Sequence, residues 1–300
     1  MATLGALMRN RRWRWSALAA AVATIAIAVY SRGPHTARAW TERGDADIRR
    51  GRTEAAILEY RSAARLAPGD IEIHRKLGDA YLAMDDLHHA YDEYTRIGDL
   101  APSNLEARLA AGRVLLASGD VSGARERARD VLARAPNHRA ARLLLDVTDG
   151  RLLVASGNRA NAAAEFREAV AIAPNEPEPH VLLGEALLAG GDRDGGLSEL
   201  LTATRLAPDD ELVNRAMGWY YITIERPREA EPYLRRAATR STDRYHSALA
   251  LADYLLAARR TDDAKRVLEH ITGDDAPQAE VRLSALTSRW ASGPSSSARP

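Results

Sequence analysis

Glycines recur along the chain at Gly44, Gly78, Gly112, Gly150, Gly184 and Gly218, in steps of 34, 34, 38, 34 and 34 residues. Prolines at Pro68, Pro102, Pro136, Pro174 and Pro208 step by 34, 34, 38 and 34. Both series carry the same four-residue insertion at the same place. Two independent markers that slip together define an internal repeat, and a period of this length is the signature of a stacked-unit architecture. It constrains the fold more tightly than composition does. One such unit cannot bury its apolar face alone, so successive units must pack on one another.

Within each unit the spacing is informative. Twelve residues after the glycine stands a small residue: Ala56, Ala90, Ala124, Ala162, Gly196 and Ala230. Four residues later comes a large one at Tyr60, Tyr94, Phe166, Leu200 and Leu234; the third unit departs from this with Ala128. The pattern predicts two antiparallel helices per unit, A and B, crossing where residues such as Gly44 and Ala56 let the backbones approach. Tyr60-type residues are expected to fill the space to the next unit. Segment Trp40–Pro68 carries the Trp, Gly, Ala, Tyr, Ala and Pro of the pattern W-x2-L-G-x2-Y…A-x3-F…A-x4-P, and Leu77-Gly78-Asp79-Ala80-Tyr81 carries its L-G-x-x-Y core. In these residues the chain resembles the tetratricopeptide repeat (TPR) family. The resemblance covers residues 37–276 and implies an all-α fold, a TPR α-solenoid that winds as a right-handed superhelix of antiparallel helix hairpins. Six repeats are expected at 37–70, 71–104, 105–138, 143–176, 177–210 and 211–244. A degenerate seventh spans 245–276, where Ala252 replaces the glycine and no proline closes the unit. A capping helix at 277–291 and a disordered tail at 292–300 complete the chain.

Local signals agree with this division. Asp70, Asn104, Asn175 and Asp210 read as helix N-caps, and Glu72, Glu106, Glu178 and Glu211 fall in first turns, where the helix dipole favours an acid. Gly51, Gly119, Gly157 and Gly191 read as left-handed helix ends. The insertion near His138–Arg142 should lengthen helix A of the fourth repeat. Pro227 suits a helix start, but Pro232 should make that helix begin late or kink.

The N-terminus is of another kind. Arg9, Arg11, Arg12 and Arg14 precede an uncharged apolar run from Trp15 to Tyr30. This reads as a basic cytoplasmic leader (1–14), a transmembrane anchor (15–30) and a linker (31–36), with everything beyond exported. Trp13, Trp15 and Tyr30 bracket the run as interfacial aromatics do. The alternative is a cleaved signal peptide, with Ala37-Arg38-Ala39 as the small-x-small site. The expected location is a bacterial inner membrane, single-pass, with the repeats extracytoplasmic; after cleavage they would be periplasmic or secreted.

The formal net charge is +1, but five arginines and no acid precede Ala37, so the repeats themselves are mildly acidic. That argues against nucleic acid as the partner, because phosphate binding needs a basic patch. No cysteine is present, which excludes disulfides, thiol catalysis and Cys-ligated zinc. The eight histidines form no HExxH pair, and no Walker A loop, GxSxG elbow or GxGxxG fingerprint occurs. No catalytic residue, cofactor or metal is expected, and the chain does not read as an enzyme.

The resemblance implies that helix A lines a groove, through positions two, five, nine and twelve of each unit. The first two units then present Arg38, Thr41, Asp45, Glu72, Arg75 and Asp79, a charged surface of mixed sign. The third to fifth present Leu109, Leu116, Val147, Val154, Val181 and Leu188, with Arg113, Arg151 and Glu185 among them. The sixth presents Arg215, Trp219 and Ile222. An apolar floor with two arginines would suit an extended or helical peptide bearing an acidic group, with Trp219 as anchor, since Trp and Arg dominate binding hot spots. The groove has no Asn and Lys set for gripping a C-terminal carboxylate. The function expected is a membrane-tethered scaffold that binds a protein or peptide partner, in the manner of bacterial envelope proteins of export, sorting or polysaccharide assembly. The alternatives are a self-assembling structural envelope protein, for which an oligomer is expected, and the non-catalytic part of an enzyme complex.

Overall fold

The computed structural model describes residues 36–239, 246–271 and 275–291, with the backbone alone for 286–291. The leader, the apolar run at 15–30 and the tail lie outside the described residues. Among the described residues there are fifteen helices and no strand. They divide into two compact units, one ending at Ser118 and the other beginning at Gly119.

The first unit holds α1 (Ala37–Arg49), α2 (Thr53–Leu66), α3 (Ile71–Ala83), α4 (Leu87–Leu100) and α5 (Leu105–Ala117). Helices α1 and α2, and α3 and α4, form hairpins. Their core is an unbroken cluster running from Ala56, Tyr60 and Ala63 through Ile73, Leu77 and Tyr81 to Tyr94 and Ile97. The second unit holds α6 (Val121–Arg134), α7 (Arg139–Ala155), α8 (Arg159–Ile172), α9 (Pro177–Ala189), α10 (Arg193–Leu206), α11 (Glu211–Thr223), α12 (Pro227–Thr239), α13 (Ser247–Ala257), α14 (Thr261–Leu268) and α15 (Ala276–Ala291). Here the hairpins are α7–α8, α9–α10, α11–α12 and α13–α14. Ala279 and Leu283 of α15 pack on Leu249, Ala252 and Leu268.

The repeat glycine has a specific task. A Cβ on Gly44 would lie 2.4 Å from the Tyr60 ring, and one on Gly150 would lie 2.4 Å from the Phe166 ring. The large residue therefore packs first on the glycine of its own hairpin, not only toward the next unit. At Gly184 the approach is between backbones as well: a Cβ there would sit 3.1 Å from the Gly196 carbonyl oxygen.

A second recurrent device ties four of the A helices to the turns before them. Six residues after the repeat proline, a donor reaches back to the proline carbonyl. His74 Nε2 lies 3.1 Å from Pro68 O, His180 Nε2 lies 3.0 Å from Pro174 O, and Asn214 Nδ2 donates to Pro208 O at 2.8 Å. Arg108 does the same at Pro102 through Nη2 at 3.1 Å. The two buried histidines also bridge to helix B, His74 Nδ1 to Glu93 at 2.5 Å and His180 Nδ1 to Glu199 at 2.6 Å.

Asp70, Asn104 and Asp210 cap their helices as expected, but Asn175 does not; the residue at the start of α9 is Glu176, with no side-chain cap. Pro179, the third residue of the helix, removes one of the N–H groups that a cap would satisfy. Helix α7 has 17 residues against 13 in α5 and α9, so the insertion does lengthen an A helix, which His138 caps. Helix α12 neither starts late nor breaks at Pro232. The lost hydrogen bond would have ended on Arg228, which is exposed, so water can take its place.

Asp146 of α7 is 2% exposed and its Oδ2 has no hydrogen-bond partner. Burial pushes its carboxyl up to about 6; Arg142 opposes this, and Glu165 and Glu168 of α8 add to it. The folded state thus holds this proton more tightly than the unfolded chain. The stability it contributes is present at acid pH and lost as pH rises through about 6. Asp146→Asn should therefore be more stable than the parent near pH 8, by up to about 2–3 kcal/mol. The advantage should shrink toward about pH 5 in urea titrations. Gly150→Ala should destabilise by about 1–3 kcal/mol through overpacking on Phe166. Adding Phe166→Leu should recover part of that loss, because Leu200 faces Gly184 in the same way.

Candidate interaction face

Helix A residues of the first unit form a dense ionic network. Tyr60 Oη donates to Asp45 at 2.7 Å, and Lys76 Nζ reaches the same carboxylate oxygen at 2.7 Å from the next hairpin. Burial pushes the Asp45 carboxyl up, but the Lys76 and Tyr60 hydrogen bonds outweigh it and hold the carboxyl below its usual range. Arg75 chelates Glu72 through Nε at 2.9 Å and Nη2 at 2.6 Å, and reaches Asp79 at 2.6 Å. Tyr94 donates to Asp79 at 2.7 Å. Desolvation first, and the Asp79 hydrogen bond second, raise the Tyr94 phenol. The charges here are compensated in place. Arg113, on α5, is exposed and makes no ion pair among the described residues.

In the second unit three A helices lie in sequence across one face. Arg151 of α7 donates to Glu178 of α9 at 2.9 Å. Arg215 of α11 reaches Glu185 of α9 at 3.5 Å. Trp219 stands one turn beyond Arg215, on the same face of α11, and is 49% exposed. Val154 of α7 is 48% exposed. Glu185 keeps 39% of its side-chain surface open. Desolvation nevertheless raises its carboxyl, against Arg215 and Arg151. Glu185 is thus a half-open acid with two arginines near it.

Several residues expected to line this face do not. Val181 is 0% exposed, and Leu109 and Val147 are buried too. Val181 packs with Leu200, Val213 and Met217, in the core behind the face. Ile222 is half-buried against the cluster of Leu234 and Leu251. Arg151, expected to await an acidic ligand, is committed to Glu178. Two residues of the ionic face, Lys76 and Glu178, were not expected there. Glu178 sits at the second position of its repeat, so the register alone points to it. Lys76 lies off the lining positions, and only the packing reveals it.

Among the described residues no group of three or more His, Asp or Glu could hold a metal ion, and no helix is long and apolar enough to cross a membrane. Helical hairpins in series, closed by glycine–ring contacts and presenting a face of A helices, define a helical repeat protein. The sequence profile of the tetratricopeptide repeat matches residues 85–146, 153–220 and 225–287, and a second TPR repeat profile matches residues 44–85. The chain belongs to the tetratricopeptide repeat family. No curated protein matches it.

Solved structures share the fold. A tetratricopeptide repeat protein from Parabacteroides merdae is 14% identical, with a TM-score of 0.63 over 77% of this chain and 89% of its own. A monomeric IFIT1 mutant solved with Gppp-AAAA is 13% identical, with a TM-score of 0.62 over 85% of this chain and 64% of its own. A thermophilic TPR protein of Thermus thermophilus, TTC0263, is 22% identical, with a TM-score of 0.51 over 62% of this chain and all of its own. The fold is thus a TPR scaffold, suited to protein interactions.

The division between core and lining can be measured. Trp219→Ala should change unfolding free energy by less than about 1 kcal/mol, as a surface substitution does. Val181→Asp should cost more than about 3 kcal/mol by burying an unpaired charge. Urea denaturation followed by circular dichroism separates the two.

Proposed function

We propose that this protein is a scaffold that captures a protein or peptide segment on its A-helix face. The observation that carries this reading is the pairing of an exposed Trp219 with a half-open Glu185, held by Arg215 only at 3.5 Å, on adjacent A helices. A large exposed aromatic costs solubility and contributes nothing to the core. Beside a half-open charge it has the character of a binding hot spot. The ion pairs of the second unit are self-neutral, which fits selective capture better than electrostatic attraction of any charged polymer. We place the scaffold at a bacterial inner membrane, held by residues 15–30, with the repeats on the extracytoplasmic side. The support for this is the basic leader before an uncharged apolar run.

Crosslinked capture in the native host tests the face. Trp219→Ala should lower recovery of the partner at least about tenfold, a loss of about 1.4 kcal/mol, with helicity unchanged. Undiminished capture would defeat the reading. Topology is tested through the absence of native cysteine. A single Ser118→Cys should react with a membrane-impermeant maleimide in intact spheroplasts, whereas labelling only after lysis would place the repeats inside.

A further inference from the structure

We infer that the segment captured by the second unit presents a basic side chain, Arg or Lys, to Glu185, with its aliphatic stem on Trp219. The inference rests on the A-helix face being the binding face, and it names the ligand chemistry of that face.

The arginines do not supply an anion site. Arg151 holds Glu178 at 2.9 Å, a full charge-assisted hydrogen bond. An acidic ligand would have to displace that carboxylate. Arg215 has other interactions beside its long contact with Glu185. Glu185 is different. Among the described residues its one hydrogen bond is the 3.5 Å contact with Arg215, at the limit of a useful interaction. Its side chain keeps 39% of its surface open, and desolvation outweighs the two arginines near it. A cation brought to it would neutralise a charge that the protein has only partly compensated, in a site of reduced dielectric where such a contact is stronger than in water.

The neighbour selects the same chemistry. Trp219 occupies the position of Glu185 one repeat later, on α11, which packs beside α9. Arg215 reaches Glu185 from one turn before Trp219, which puts the indole on the same face of α11. Lys and Arg carry apolar stems that pack along such a surface while the head meets the acid. An indole face also attracts the cation itself, by about 0.5–2 kcal/mol. Val154, exposed on α7, continues the apolar surface on the far side of Arg151. The matching segment is one basic residue among apolar ones.

Three adjacent A helices, about 8–10 Å apart, span what about nine extended residues can reach. The probes are fluorescein-labelled peptides of that length, built of Leu and Ser around a central Arg, Gln or Glu, and titrated into the full-length chain in detergent. Anisotropy should show the Arg peptide binding about tenfold more tightly than the Glu peptide. Glu185→Gln, which keeps size and polarity, should abolish that preference without altering helicity. In the parent, the preference should narrow as pH falls and the Glu185 carboxyl is neutralised. Equal binding of the three peptides, or a preference that survives Glu185→Gln, overturns the assignment. If Trp219→Ala then still abolishes binding, the face itself stands. Binding that neither substitution affects defeats both readings. No binding of the Arg peptide at about 1 mM also overturns the assignment, leaving the face to be judged by crosslinked capture.

Discussion

Five of the hairpins depend on one contact, a large side chain laid on a glycine of the facing helix. Tyr60 on Gly44, Tyr94 on Gly78, Phe166 on Gly150 and Leu200 on Gly184 are the same interaction repeated. It sets how closely A and B approach, and thereby the angle at which the next hairpin is offered a surface. The tyrosines add a directional element, because their hydroxyls bind Asp45 and Asp79 one residue beyond the glycine. Ring, glycine and acid form a unit that fixes rotamer and helix register together. Where leucine replaces tyrosine, the packing remains and the hydrogen bond is lost.

The hairpin turn is equally uniform, although its residue is not. Gly51, Gly119, Gly157 and Gly191 have φ between 70° and 93°, and at the matching places Asp85, Glu225 and Arg259 have φ between 57° and 60°. A non-glycine residue in this region bears a cost of about 1–2 kcal/mol, which the packing of both helices must offset. The glycines were legible in the sequence as turns because they advertise the conformation. Asp85, Glu225 and Arg259 were not, since nothing in those residue types announces it; only the 34-residue register points to them. The seventh hairpin shows the strength of that register. It has lost the glycine and the proline, yet it folds through the same left-handed step at Arg259.

The candidate face was less legible than the fold, for a physical reason. Periodicity assigns a residue to a face of a helix, but whether that residue is free depends on side chains brought from other hairpins. Arg151 and Arg75 fall at lining positions, and their apparent availability ends when Glu178, Glu72 and Asp79 are in place. Val181 falls at the same kind of position and is sealed by its neighbours. Trp219 was legible because a side chain of that size on the polar face has nowhere to hide. Glu185 was legible as a lining residue but not as the distinctive one. Its character comes from the weakness of its contact with Arg215, a matter of 3.5 Å rather than of sequence.

The two levels are coupled through rigidity. Donors such as His180 and Asn214 clamp the A helices to the turns before them, and the glycine contacts clamp them to their B helices. A face built on elements held at both ends loses little entropy when a ligand settles on it. Such a face can therefore select on a small number of contacts. One acid held short of neutrality beside one exposed indole is enough, because neither has to be ordered on binding. The same rigidity limits adaptation: a ligand whose charge lies on the wrong side of Trp219 meets Arg151 or Arg215, and the scaffold cannot yield to accommodate it. Specificity here comes as much from what the fixed arginines repel as from what Glu185 attracts.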